Sequence, residues 1–206
     1  FACTLLHVAE AWVEVDQAEL ERMHALRRRV QPKRSGLSRK NLDRLEQFDD
    51  AAMLRRFLRL PGEMFQAADR LKAEGRPVRA AEAHETALAL ALLIVNPMRR
   101  RNLCALHVDQ HFRRDAGGRI VKLHVPGSTV KNGVAIEAEI PPDLARRITL
   151  HMRAHQPLRT KVASYALFPA RDGSAKAPEV LARALQRAVR RYVGAEFNVH
   201  MARHLA

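Results

Sequence analysis

The chain has 206 residues, enough for one good domain and a fragment of another. Its 36 lysines and arginines outnumber 22 aspartates and glutamates, a net charge of +14, which points first to a nucleic acid and second to an anionic membrane surface as partner. Two cysteines, Cys3 and Cys104, are too few for a disulfide framework and fit a reducing cytosol, and the longest apolar run, Ala87 to Val95, falls well short of the roughly 20 residues a membrane span needs.

The first predicted element is a helix over Phe1 to Val30. Leu5, Val8, Ala11 and Trp12 are spaced for one buried face, and Arg27-Arg28-Arg29 ends it. The chain opens on Phe1 inside this apolar segment, without a signal peptide, and so reads as a piece of something longer. Gln31 to Lys40, QPKRSGLSRK, is a basic connector rich in helix breakers. Asp49-Asp50 can cap a helix over Ala51 to Leu60, which Pro61-Gly62 is expected to end. A separate helix then runs from Glu63 to Ala73, closed by Gly75 and Pro77. Arg79 to Val95 is a long apolar helix. Its His84-Glu85 pair begins like a zinc-protease motif, but Leu88 stands where the second histidine belongs, which discards that reading.

Asn96-Pro97 breaks the apolar helix, and Arg99, Arg100 and Arg101 follow. Proline forbids a smooth helix through this point and suits the first turn of a new one. The expected pattern is helix, sharp break, then a second amphipathic segment, Leu103 to Val108, closing on Asp109. An arginine planted where two buried helices meet costs free energy unless it has an anionic partner, either a structural carboxylate or a phosphate. His107 and His111 at i, i+4, with Asp109 between them, would be the metal face of a metal-dependent nucleic-acid enzyme. No third ligand follows at convincing spacing, so they read as surface histidines at a helix end and no metal site is assigned.

From Arg113 to Pro142 the period changes to two. Ile120, Lys122 and His124 alternate with Val121, Leu123 and Val125, and Val134, Ile136, Ala138 and Ile140 alternate with Ala135, Glu137 and Glu139. Between them lies PGSTVKNG, residues 126–133, so the segment is a small antiparallel sheet with a basic tip. A helix over Asp143 to His155, an extended piece from Tyr165 to Phe168 and a turn over Arg171 to Ser174 come next. Pro178 to Val193 is a strongly basic amphipathic helix with Arg183, Arg187, Arg190 and Arg191. With this net charge it reads as DNA-facing. Without Trp or Phe on its apolar side it does not fit a membrane surface. The sequence closes on Asn198-Val199-His200-Met201-Ala202-Arg203-His204. Spacing i, i+3 puts His200 and Arg203 on one helix face, within reach of one phosphate.

Three of these stretches, in this order, resemble the tyrosine recombinases, the phage integrase family. Residues 96–106, Asn-Pro-Met-Arg-Arg-Arg-Asn-Leu-Cys-Ala-Leu, resemble its first active-site box, usually Thr-Gly-Leu-Arg-x-x-Glu-Leu-x-x-Leu. Arg99 falls on the first catalytic arginine, Leu103 and Leu106 fall on the framework, and Asp109 closes the box. Pro97 replaces the usual glycine and Asn102 the usual glutamate, so the carboxylate that often braces the helix is missing. The family carries a catalytic lysine on the turn between its second and third strands. The match here is Lys131 in Val-Lys-Asn-Gly, with Lys122 as the alternative. His200 to His204 resembles the second box, His-x-x-Arg-His, and GLSRKNLDRLEQFDD resembles the junction into the catalytic domain.

The resemblance implies a mainly α fold with a small antiparallel β-sheet (α+β), that of an integrase catalytic domain. Residues 1–35 would be the end of a helical DNA-clamp domain plus linker, and 36–206 a catalytic domain incomplete at its C-terminus. It implies site-specific breakage and rejoining of double-stranded DNA through a 3′-phosphotyrosyl intermediate, without cofactor or metal, by a tetramer on DNA at the bacterial nucleoid. Arg99, Lys131, His200 and Arg203 would be catalytic, and Arg34, Lys40, Arg183, Arg187 and Arg190 would contact DNA. The family's tyrosine lies beyond the second box. Here the only tyrosines, Tyr165 and Tyr192, precede it. The 206 residues are therefore expected to bind DNA without cleaving it. The rival reading is a non-catalytic DNA-binding protein, a decayed or truncated recombinase.

Overall fold

The computed structural model describes residues 13, 15–30 and 39–205, with only the backbone of residues 27–30, 40 and 203. The chain divides into two compact units, Phe1–Arg39 and Lys40–Ala206. In the first, helix α1 spans Gln17–Val30. Of the helix expected over Phe1 to Val30, residues 1–12 and 14 lie outside the described set, and Val13, Val15 and Asp16 are not helical. The Asp16 carboxylate accepts the Glu19 N–H at 2.8 Å, a side-chain cap that starts a helix at Gln17.

The second unit is mainly helical with one small three-stranded antiparallel sheet, the α+β class expected from the sequence. Helix α2 spans Arg39–Glu46 and α3 spans Ala51–Ala73. Asp50 caps α3 as expected, its carboxylate accepting the Ala52 N–H at 2.8 Å. Pro61-Gly62 does not end this helix, so the two helices expected over Ala51 to Ala73 are one. An internal proline costs about 3 kcal/mol. It is tolerated because Phe57, Leu60, Pro61, Met64, Phe65 and Ala68 form one buried stripe at i, i+3, i+4 spacing, and each large apolar side chain contributes roughly 1.5–3 kcal/mol.

Helix α4, Pro77–Val95, is the central element. Ala87, Leu88, Ala89 and Leu90 are buried in succession, so the helix is covered on every side there. It packs against α3, α6 (Pro142–Leu150), α7 (Pro178–Tyr192) and a π-helical turn, His151–His155, that continues α6. The helix expected over Asp143 to His155 is therefore present, but widened in its last turn. Among the described residues no helix is long and apolar enough to cross a membrane.

The sheet has the order β1–β2–β3, with Phe112–Arg114, Ile120–Val125 and Ile136–Glu139. Leu123 pairs with Ala138 and Val125 with Ile136 on the core face, while Lys122–Glu139 and His124–Glu137 pair on the outer face. The alternation differs from the expected one at its start: Ile120 is buried and Val121 exposed. The register slips between Arg113 and Arg114, so that Arg113 faces Lys122 and Arg114 faces Ile120, and this bulge exchanges the faces of residues 120 and 121.

Three histidines fill the interior between α4 and the π turn. The His84 ring lies 4.3 Å from His155 and 5.6 Å from His151, centroid to centroid, with Phe65 at 4.9 Å. One ring nitrogen, His151 Nε2, meets the Leu167 carbonyl at 2.9 Å. Both nitrogens of His84 and of His155 have no hydrogen-bond partner among the described residues. Burial, reinforced by the neighbouring histidines and Arg147, pushes His84 down to about 2. Burial likewise pushes His151 down to about 4, and lowers His155, which faces Lys72, Asp69 and Arg147. Lys176 and Arg159 add positive charge near His151.

The fold holds these rings neutral, so on acidification the unfolded chain takes up protons first. Their contribution is complete above pH ~6.5 and is lost as the pH falls toward 4 and below, at about 1.4 kcal/mol per pH unit per histidine. Thermal melts should show a steep fall in Tm between pH 6.5 and 4.5, and a shallower one in His84→Leu. A Tm independent of pH over that window would contradict the buried neutral cluster.

Candidate active site

The break after α4 is built by two residues. The Asn96 N–H still donates to the Leu92 carbonyl at 2.9 Å, but its φ of −145° and ψ of 105° turn the chain out of the helix. Its side-chain amide donates to the Glu137 carbonyl on β3 at 3.0 Å. Pro97 follows, and it disfavours the helical conformation for Asn96. Met98, 2% exposed, plugs the core. Arg99 is the N-cap residue of helix α5, Arg100–Cys104, a single turn anchored by buried Leu103 and Cys104. The second helix is thus shorter than expected. Leu106 to Asp109 lies beyond it, held by a bridge between His107 and Ala166.

Half-buried Arg99 reaches the β2–β3 connection. Its Nη1 donates to Asn132 Oδ1 at 3.5 Å, a long bond that leaves most of the guanidinium available. Asn132 follows Lys131 in the turn predicted for the catalytic lysine. A short 3₁₀ segment, Gly127–Thr129, starts the connection. The Val130 N–H donates to Gly127 O at 3.0 Å, and the Gly133 N–H to Val130 O at 2.9 Å. Val130 is buried, which anchors the turn and leaves Lys131 exposed. Lys131 carries no hydrogen-bond or ion-pair partner among the described residues.

The alternative, Lys122, is differently placed. It lies on β2, and its ammonium is ion-paired with Glu137, which also meets His124 Nδ1 at 2.9 Å. The Lys122 hydrogen bond, then that of His124, holds the Glu137 carboxyl below its ordinary range. Lys122 is therefore engaged in the sheet, while Lys131 is not.

The C-terminal segment is packed through alternate residues. Phe197, Val199, Met201 and Ala202 are buried. Phe197 lies 5.4 Å from Phe57, which in turn lies 5.3 Å from Phe48. Asn198 donates to Asn41 Oδ1 at 3.2 Å and accepts from the Met201 N–H at 3.1 Å. His200 is exposed in the turn before helix α8, Ala202–Leu205. His200 and Arg203 therefore do not share one helix face as expected: only Arg203 is helical, because Asn198 turns the chain just before it. The Arg203 and Lys40 side chains and all of Arg34 lie outside the described residues.

Arg183, Arg187 and Arg190 are exposed on α7. Arg100, next to Arg99, pairs with Glu179 in the first turn of α7 at 3.2 Å. His107 and His111 are not on a helix. The buried His111 accepts the His107 N–H on Nδ1 at 3.0 Å, and His107 Nδ1 accepts the Asp109 N–H at 3.2 Å. Both serve the loop. Among the described residues no group of three or more histidine, cysteine or carboxylate side chains is arranged to hold a metal ion.

The sequence reading missed a buried charge cluster behind the site. Lys176 and Glu85 form an ion pair with both side chains buried, and Arg159 Nε lies 3.8 Å from Glu85. Its one sequence signal was a glutamate within the apolar run of α4. Burial pushes the neighbouring Cys104 thiol up to about 12, so it is not a nucleophile. Comparisons with family models, curated proteins and solved structures found no match to this chain.

The turn depends on the close approach of Gly127 to Gly133. A Cβ on Gly127 would lie 2.2 Å from the Gly133 carbonyl oxygen, against backbone that cannot swing aside. Gly127→Ala should therefore destabilise the protein by about 1–3 kcal/mol, read as a lower denaturation midpoint. An unchanged midpoint would show that the turn is not closed in this way.

Proposed function

We propose that the chain is the DNA-binding, phosphate-clamping part of a tyrosine-type site-specific recombinase catalytic domain. The observation that carries this reading is the contact between Arg99 and Asn132. It joins two stretches that the family resemblance singled out, the Arg-bearing break and the Lys-bearing turn. Transesterification at a DNA phosphodiester passes through a phosphorane-like state with added negative charge on the non-bridging oxygens. Preorganised cations at those oxygens lower the barrier. Arginine suits that role because its planar fork matches two phosphate oxygens and stays charged.

In this reading Arg99 and Arg203 hold the scissile phosphate. The free ammonium of Lys131 gives a proton to the leaving 5′-oxygen as general acid. His200, exposed in the turn before α8, positions or deprotonates the attacking hydroxyl through its imidazole. The attacking group in this reading is a tyrosine other than Tyr165 and Tyr192. Tyr165, stacked on His107 at 5.2 Å, and Tyr192, at the end of α7, serve the structure. The tyrosyl ester conserves the bond energy, so the steps call for no metal or nucleotide. Arg183, Arg187 and Arg190, with Arg34 and Lys40, contact the backbone of double-stranded DNA. The complete protein acts as a tetramer on DNA, in the cytoplasm at the nucleoid.

Binding of the 206-residue chain to duplex DNA should weaken with salt, with a log–log slope of roughly −0.9 for each phosphate neutralised. A slope near zero would rule out a DNA-binding role. In a chain extended to a downstream tyrosine, Arg99→Ala should reduce strand cleavage by roughly 10²–10³-fold or more while changing DNA affinity far less. Undiminished cleavage by that variant would remove Arg99 from the active site.

A further inference from the structure

At the other end of α4 from Asn96 lies a groove of about 970 Å³ between α3, the first turns of α4 and the last turns of α7. Arg70 reaches it from α3, Arg76 and Arg79 from the start of α4, and Arg187, Arg190 and Arg191 from α7. Two carboxylates, Glu74 and Glu82, line the groove with these six arginines, and Glu196 pairs with Arg190 at 3.7 Å from outside the lining. Both lining carboxylates are already engaged, Glu82 by Arg159 at 2.8 Å and Glu74 by Arg76 at 3.6 Å. Arg70, Arg79, Arg187 and Arg191 carry no carboxylate partner among the described residues. The N-terminus of α4 opens into the same space, with no side-chain cap and with Pro77 in its first turn, and adds its own partial positive charge. Like charges gathered from three elements repel one another, and an anion in the groove removes that cost.

The groove is separate from the Arg99 site. Glu179, which pairs with Arg100, stands at the start of α7, and Arg191 lies twelve residues further on, about 18 Å along the helix. Arg183 lies between the two on the exposed side of the helix. Guanidinium forks match the paired oxygens of phosphates.

The geometry points to a second backbone-phosphate site for duplex DNA in this groove, apart from the phosphate held at Arg99. It rests on the DNA-binding reading above and extends the footprint of that reading to α3 and the start of α4.

The test is a salt titration of duplex binding, followed by fluorescence anisotropy, for the wild-type chain, for Arg70→Gln/Arg79→Gln/Arg191→Gln and for Glu74→Gln. All four positions are exposed, so folding should be intact, as a thermal melt would check. The triple variant should lose roughly 2–3 units of log–log slope and at least about tenfold in affinity at low salt. Glu74→Gln should bind more tightly, a gain that misfolding cannot produce. If the wild type binds steeply and both variants match it, the groove is not a DNA site and the DNA reading stands. If the wild type shows no salt-dependent binding, the DNA reading fails and the groove proposal falls with it.

Discussion

The burial of the middle of α4, residues 87–90, on every side is the constraint from which the rest of this unit follows. A helix wrapped by α3, α6, α7 and the π turn cannot shift along its axis without uncovering Leu88, Leu90, Leu92 and Leu93. Both of its ends are therefore fixed points. At the C-terminal end, Asn96 ties the chain to β3 and Pro97 releases it toward Arg99. That arginine can then meet the turn bearing Lys131 without depending on a long helix of its own. At the N-terminal end, Arg76 and Arg79 are held opposite Arg187 and Arg191.

The same burial explains the polar groups inside. Glu85 and the histidine His84 are neighbours on α4, and each needs a solution that keeps charge from being stranded. Glu85 finds Lys176 and Arg159. His84 stays neutral within a stack of rings. Removing one partner of the ion pair would strand the other charge, whereas a neutral histidine cluster is sensitive chiefly to acid. The surface follows the opposite rule, with its excess of arginine left largely unpaired on α7.

Local signals made much of this legible before any coordinates. The capping aspartate at Asp50, the break at Asn96-Pro97, the period-two strands and the basic periodicity of α7 each depend on neighbours in sequence, and each is present in the structure. What could not be read depended on partners far along the chain. Pro61 looks like a stop, yet the stripe from Phe57 to Ala68 carries the helix through it. Val121 looks like a core residue until the bulge opposite Arg113 and Arg114 turns it outward. The i, i+3 spacing of His200 and Arg203 suggests a helix, but Asn198 places a turn there, tied to Asn41 in α2. The histidine stack and the Lys176–Glu85 pair join residues from separate elements, and neither left a pattern in the sequence beyond single polar residues in apolar surroundings.

In the proposed function Arg99, Lys131 and the His200 segment face one stretch of DNA. Hydrogen–deuterium exchange of the 206-residue chain, with and without duplex DNA, tests it most directly. DNA should slow exchange together in residues 96–101, 127–133 and 198–205. Slowing confined to α7, with the break and the turn unaffected, would contradict it.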